Sequence, residues 1–271
     1  MMKNALKKYV PYIARPILSK IHRFKDAHRG EHCYLFGDGI SIKWFDLTKF
    51  TDKIAMPCAQ LPFHKQFSYL HVKYLLLMEP YWFYPICRTT SPPIRIIRNH
   101  IQKAYRDVIK KNPDKEFFIN LSHYPVLSGK NITYIFNKLY DDRLPANFLS
   151  KRINSFEGSI NGSILLAIYL GFDHVYLVGF DYTHSPARSH HWYEKGHGVI
   201  SELADYQKEF FDGAKEFIDI TTITLDGKSD HLDYVTYQDY TGCAPAFKEN
   251  NEIVEEKYLK ILSTWPGNSI F

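Results

Sequence analysis

"GSINGSILLAIYLGFDHVYLVGFDY" runs from Gly158 to Tyr182 and carries a helix, a strand and the loop beyond it in one stretch. Ile160, Ile164, Leu165 and Ile168 recur at helical spacing and predict a helix with one apolar face. Gly171 stands where a left-handed C-cap belongs. "HVYLVGF" then reads as a short strand covered on both sides, because its run is apolar with little alternation. A helix feeding directly into such a strand is the repeating unit of parallel sheets with right-handed crossovers.

The same alternation extends outward. "CYLFG" from Cys33, "DKIAMPCAQ" from Asp52, "VKYLLLMEP" from Val72 and "EFFINLS" from Glu116 read as further strands. A helix is expected from about Ile94 to the Lys110–Lys111 pair, and an amphipathic helix over "NNEIVEEKYLKILSTW" near the end. The chain has 271 residues with 45% hydrophobic content, enough for one large core. The expected class is α/β: a Rossmann-like, mostly parallel sheet with helices on both faces.

Charge divides the chain in two. Residues 1–30 hold eight of the 34 Lys and Arg and one of the 29 acids, a net of +7. The remaining 26 basic and 28 acidic residues leave the body at −2. A nucleic-acid partner is therefore not expected, since the net positive charge is confined to the arm and the body is net acidic. Leu6, Val10, Ile13, Ile17 and Ile21 lie at roughly helical spacing in that arm. Two readings stay open: an anionic membrane surface, or packing on its own domain or a sister subunit, with a homo-oligomer in view. Cys33, Cys58, Cys87 and Cys243 show no CxxC spacing, so a reducing, cytoplasmic compartment is expected and a zinc site is not. No apolar run is long enough for a spanning helix.

In open parallel sheets, ligands bind beyond the carboxyl ends of the strands. Three loops fall at such ends. Gly37-Asp38-Gly39, with Ser41, offers glycines for close backbone approach to a ligand, and Asp38 is expected to meet a hydroxyl or an amine. Gly158-Ser159 opens the Ile160 helix, whose free amides attract anions. Asp181-Tyr182 leads into "THSPARSHHWYEKGHG", where His184, His190, His191 and His197 cluster in sequence with Tyr193, Glu194 and Arg188. Histidine serves as a general base near neutral pH, and tyrosine or arginine can take charge on a departing phosphate. Strong metal-ligand spacing is missing from this stretch, and no metal is expected.

Taken together, strand-G-D-G-x-S, then G-S-x-x-G-S before "LLAIYLGFDHVYLVGFDY", then H-H-W-Y resemble the Campylobacter-type bacterial sialyltransferases. The architecture is shared with flagellin-glycosyltransferase domains and the archaeal 6-hydroxymethylpterin pyrophosphokinases. The resemblance covers roughly residues 31–241. It implies one Rossmann-like catalytic domain over residues 31–271, a variant of the GT-A type, with a small lid around 182–200 and the arm, 1–30, outside it. It implies a glycosyltransferase moving an acidic sugar (sialic acid, Kdo or similar) from a CMP-sugar to a glycan or lipopolysaccharide acceptor. The CMP-sugar is the donor substrate and no cofactor is implied. The enzyme would be cytoplasmic, held at the inner membrane by its arm. His191 or His190 would be the base, and Tyr182 and Tyr193 would hold the phosphate. Gly37, Asp38, Gly39, Ser41, Gly158, Ser159 and Asp181 would bind the nucleotide. Two departures stand out. The family's C-N-Q reads Cys58-Ala59-Gln60 here, and its Asn-Pro reads Glu79-Pro80. A magnesium-dependent, ATP-using diphosphokinase drawing on Asp38, Glu79 and Asp181, and a non-catalytic nucleotide- or sugar-binding module, are the alternatives.

Overall fold

A computed structural model describes residues 13–79, 83–84, 92–136, 158–201 and 207–263. Pro80, Cys87 and the arm before Ile13 lie outside the described residues. The strands are β1 His32–Phe36, β2 Ile54–Pro57, β3 Tyr74–Leu77, β4 Glu116–Asn120, β5 Ile132–Ile135, β6 His174–Val178, β7 Ala187–Arg188, β8 Ile200–Ser201, β9 Asp219–Thr224 and β10 Asp233–Thr236. The helices are α1 Arg15–Leu18, α2 Pro92–Lys111, α3 Ser159–Leu170, α4 Lys208–Ala214, α5 Tyr237–Thr241, α6 Asn250–Ile253 and α7 Glu256–Ser263.

Five strands form a parallel sheet in the order β10-β9-β6-β1-β2, and β3-β4-β5 form a second parallel group. The two groups meet through parallel bridges at Ala55–Val72 and Cys58–Leu76. Among the described strands only β7 and β8 pair antiparallel, as a short ribbon. Side chains alternate along each strand, so the sheet divides the core. Cys33 and Leu35 enter one cluster with the apolar residues of α3 and α4. Tyr34 and Phe36 enter the other with Ile101, Tyr105 and Ile109 of α2, Tyr237 of α5 and Leu262 of α7. The fold is α/β with helices on both faces, as expected.

One expectation is overturned. Helix α3 has no polar face: every residue from Ile160 to Leu170 is buried. It lies between the sheet and α4, so even its polar Asn161 and Ser163 are buried, bonded to Gln207 and to the Ser159 carbonyl. At its end Gly171 adopts φ +87° and its amide reaches the Ala167 and Ile168 carbonyls.

Residues 13–30 pack on the body. The Asp26 and His28 amides donate to the Tyr169 and Leu170 carbonyls at the open end of α3, at 3.1 and 2.8 Å. Leu18 and Ile21 are buried. The Lys20 ammonium donates to the Lys130 and Ile132 carbonyls along β5, and Arg23 pairs with Glu116 at 2.7 Å. Packing on its own domain therefore describes this part of the arm. Among the described residues no helix is long and apolar enough to cross a membrane.

Topology places the site. From β1 the chain steps outward through β2 to β5, and β6 pairs on the opposite side of β1. The loops after β1 and β6 therefore meet at the switch point, where such sheets open a crevice.

Candidate functional site

A cleft of about 480 Å³ opens at the carboxyl ends of β6, β1, β2 and β3. Gly37, Asp38 and Gly39 and the Gly179–Tyr182 turn line it. The two glycines of the first turn also make a contact that the sequence did not show. Neither has positive φ. A Cβ on Gly37 or on Gly39 would stand 2.5 Å from the Gly179 carbonyl oxygen, and on Gly39 also 2.6 Å from the Asp181 carboxylate. They are glycines because the two loops press together, with the Gly39 amide donating to Gly179 O at 2.7 Å. Gly179, not the first turn, carries the left-handed φ of +73°.

The expected nucleotide-loop residues divide. Asp38 lines the cleft, but its carboxylate is engaged internally. The Gln60 amide donates to both oxygens at 3.0 and 3.2 Å, and the Trp192 indole donates at 3.0 Å. It brackets the β2 loop and the His191 segment, where a ligand hydroxyl or amine was expected. Burial raises this carboxyl to about 6, against the pull of His191 and its own hydrogen bonds. Ser41 is fully buried and does not line the cleft. Its amide donates to Asp181 at 2.8 Å and its hydroxyl to the other Asp181 oxygen. Asp181 is itself buried at the cleft floor, and burial raises its carboxyl. Gly158 is the N-cap of α3, with φ +97° and no side-chain cap, so Ser159 is the first helical residue. Ser159 lines the cleft while Gly158 does not. The α3 N-terminus thus lacks a side-chain oxygen to occupy its amides.

The histidines that cluster in sequence separate in space. His184 is buried against Thr222 at 2.8 Å, and His197 stacks on Phe247 at 4.0 Å. Among the described residues no three His, Cys, Asp or Glu side chains converge as a metal site. His190 and His191 both line the cleft. His191 pairs backbone to backbone with Gly39, stacks on Tyr193 at 5.1 Å, and donates from Nδ1 to Glu194 at 2.5 Å. That bond orients the ring and leaves Nε2 as its other nitrogen. Burial would lower the imidazole, but the Glu194 bond and the Asp38, Glu194 and Asp181 charges outweigh it and hold the pKa above the ordinary value. His190 has φ +78° and stands 3.9 Å from Glu194, beyond hydrogen-bond range. Tyr193 is buried in the wall, whereas Tyr182 is 42% exposed at the rim. Arg188 also lines the cleft and pairs with Asp226 at 2.6 Å.

Sequence reading singled out Gln60, within a family departure, and Glu79, as a departure and a possible metal carboxylate, and missed Tyr105. Beyond β2 and β3 the cleft is lined by Gln60, Glu79 and Tyr105. Tyr105 belongs to α2, whose apolar periodicity gives no local hint of a cleft residue. Glu194 does carry a signal, three residues after His191.

Comparison with protein-family models and with curated proteins finds no match. Among solved structures, the chain is similar to the sialyltransferase CST-II in complex with a trisaccharide acceptor and CMP, at 13% identity and a TM-score of 0.45, covering 81% of this chain and 92% of that one. It is similar also to CstII from Campylobacter jejuni in complex with CMP as a substrate analogue, at 16% identity and a TM-score of 0.42, covering 86% of this chain and 97% of that one. These structural neighbours come from the same group of enzymes that the motifs of the sequence resemble.

Proposed function

We propose that the protein is a glycosyltransferase that moves an acidic sugar from a CMP-sugar to a glycan or lipopolysaccharide acceptor at a membrane surface, with His191 as general base. The observation that carries this reading is the His191–Glu194 pair, held at 2.5 Å on the cleft wall above the Gly37–Gly39 turn. With Nδ1–H given to Glu194, the Nε2 lone pair accepts the proton of an acceptor hydroxyl. That oxygen forms its bond to the anomeric carbon as the bond from this carbon to the phosphate oxygen breaks. The electron pair leaves with CMP. In this reading the α3 amides at Ser159 and the Tyr182 hydroxyl, both from residues that line the cleft, stabilise that charge. Tyr193 contributes by stacking on the base.

The diphosphokinase alternative draws on Asp38, Glu79 and Asp181. Two of these are committed to Gln60, Trp192 and Ser41 within the fold. CMP is the first probe, because the structural neighbours were solved with it. His191→Ala should cut turnover with CMP-sugars by about 10²–10⁴-fold while CMP affinity, read by calorimetry, stays within about threefold. Undiminished turnover would refute the assignment, and the same substitution at His190 should have a small effect. A binding-only module would take up CMP and a CMP-sugar without turnover.

A further inference from the structure

The cleft has two chemically distinct halves. The β6 side holds Ser159 at the uncapped α3 N-terminus, Tyr182 and Arg188. The side beyond β2 and β3 is built from Gln60, Glu79 and Tyr105. Two of its polar atoms, the Tyr105 hydroxyl and the Gln60 side-chain oxygen, are buried with no hydrogen-bond partner among the described residues. Both residues are more than nine-tenths buried. Glu79 carries a carboxylate on the same wall and forms no ion pair among the described residues. The bond from His123 goes to its backbone carbonyl at 2.8 Å. Burial raises the Glu79 carboxyl, as expected of an acid away from any cation. Asp38, whose carboxyl the Glu79 charge helps to raise, has the same sign. The basic groups on the lining are Arg188, His190 and His191. Arg188 is given to Asp226 and His191 to Glu194.

Buried polar atoms without partners are costly and mark a place where a ligand completes the bonding. The chemistry of this wall is selective. A carboxylate brought against Glu79 would meet a like charge with no cation to offset it. A group presenting N–H or O–H donors would satisfy Glu79, and the Gln60 amide and Tyr105 hydroxyl can each donate or accept. We infer that the Gln60–Glu79–Tyr105 wall is a specificity subsite for an uncharged, hydrogen-bond-donating part of the substrate. The carboxylate of an acidic sugar is turned away from it, toward the α3 N-terminus. This rests on the nucleotide-sugar reading. Two sources share the required chemistry: the exocyclic amine of cytosine, or sugar hydroxyls.

The test compares the full chain with Glu79→Gln, which keeps shape and removes charge. Tyr105→Phe serves as a second variant should the first fold poorly. Affinities for CMP, UMP, CMP-N-acetylneuraminate and UDP-N-acetylglucosamine are read by calorimetry. If the base amine occupies the wall, the native chain prefers CMP over UMP and Glu79→Gln shrinks that preference by about tenfold. If sugar hydroxyls occupy it, CMP and UMP are unaffected, and Glu79→Gln shifts the ratio of acidic to neutral sugar nucleotide by about tenfold toward the acidic one. Ratios unchanged in a folded variant would overturn the subsite. Binding of the UDP-sugar but not CMP, with the ratios still sensitive to Glu79, would overturn the CMP reading and keep the subsite. Binding of none of the four would overturn both.

Discussion

At the scale of single residues, the site turns on how one carboxylate sets one imidazole. Glu194 lies three residues after His191 and is mostly buried, so its charge acts at short range in poorly solvated surroundings. It favours the imidazolium, and the folded pKa is above the ordinary 6.5. Turnover should therefore rise with pH as the ring loses its proton, with an inflection above 6.5. Stability runs the other way. A histidine whose pKa is raised on folding contributes fully below its unfolded value, and that contribution is lost as pH rises through the folded value. Glu194→Gln keeps a hydrogen-bond acceptor and removes the charge. The activity inflection should move to lower pH, and the loss of stability on the alkaline side should flatten. A pH–rate profile beside a pH series of thermal unfolding reads both. An unmoved inflection would separate Glu194 from the titration of the base. Gly39→Ala tests the packing of the two loops. With its Cβ 2.5 Å from a backbone oxygen, it should cost about 1–3 kcal/mol by denaturant unfolding, as overpacked sites do.

At the scale of elements, the strands were legible because a strand covered on both faces reads as a plain apolar run. Those around Leu35, Met56, Leu76, Phe118 and Leu177 follow that rule. β9 escaped because it is written "DITTIT", and Thr222 and Thr224, though fully buried, look like loop residues. Thr222 satisfies its hydroxyl with His184, a contact between segments 38 residues apart that local patterning cannot anticipate. The glycines of the β1 turn were visible, but their reason, a neighbouring loop, lies across the sheet. The histidine cluster misled in the same way, since proximity in sequence did not survive folding. What holds the His191 segment is also remote. Lys43, fully buried, donates to the Gly196 carbonyl at 2.9 Å and to Asn250 Oδ1 at 2.7 Å, and Asn250 donates back to the Tyr193 carbonyl at 2.5 Å. This bracket ties both ends of residues 193–196 to α6. Lys43→Met, of similar length and apolar, should lower kcat about tenfold or more with little change in CMP affinity, because it releases the base from its position and leaves the nucleotide side intact. An equal loss in CMP affinity would mean that the whole cleft had moved.

At the scale of the whole molecule, the charge asymmetry raises the question of what the arm does, and residues 13–30 answer part of it. The described part is woven into the fold. It closes the open end of α3, buries Leu18 and Ile21, and lays Lys20 along β5, an outer strand whose sheet partner is β4. An uncovered outer strand is a template for pairing with another chain. Burying two aliphatic side chains of this size contributes about 1.5–3 kcal/mol each. Removing residues 1–29 should therefore lower Tm by roughly 10 °C and promote aggregation, whatever the arm does at a membrane. Removing residues 1–12 takes away Lys3, Lys7 and Lys8 and leaves these contacts in place. The shorter truncation should keep the native Tm and solution turnover. If the arm reads an anionic surface, it should also lose sedimentation with phosphatidylserine vesicles at low salt, since each basic residue near such a surface contributes about 1 kcal/mol. Full sedimentation after that truncation would remove the membrane role from residues 1–12 and leave the arm as a brace for the edge of the sheet.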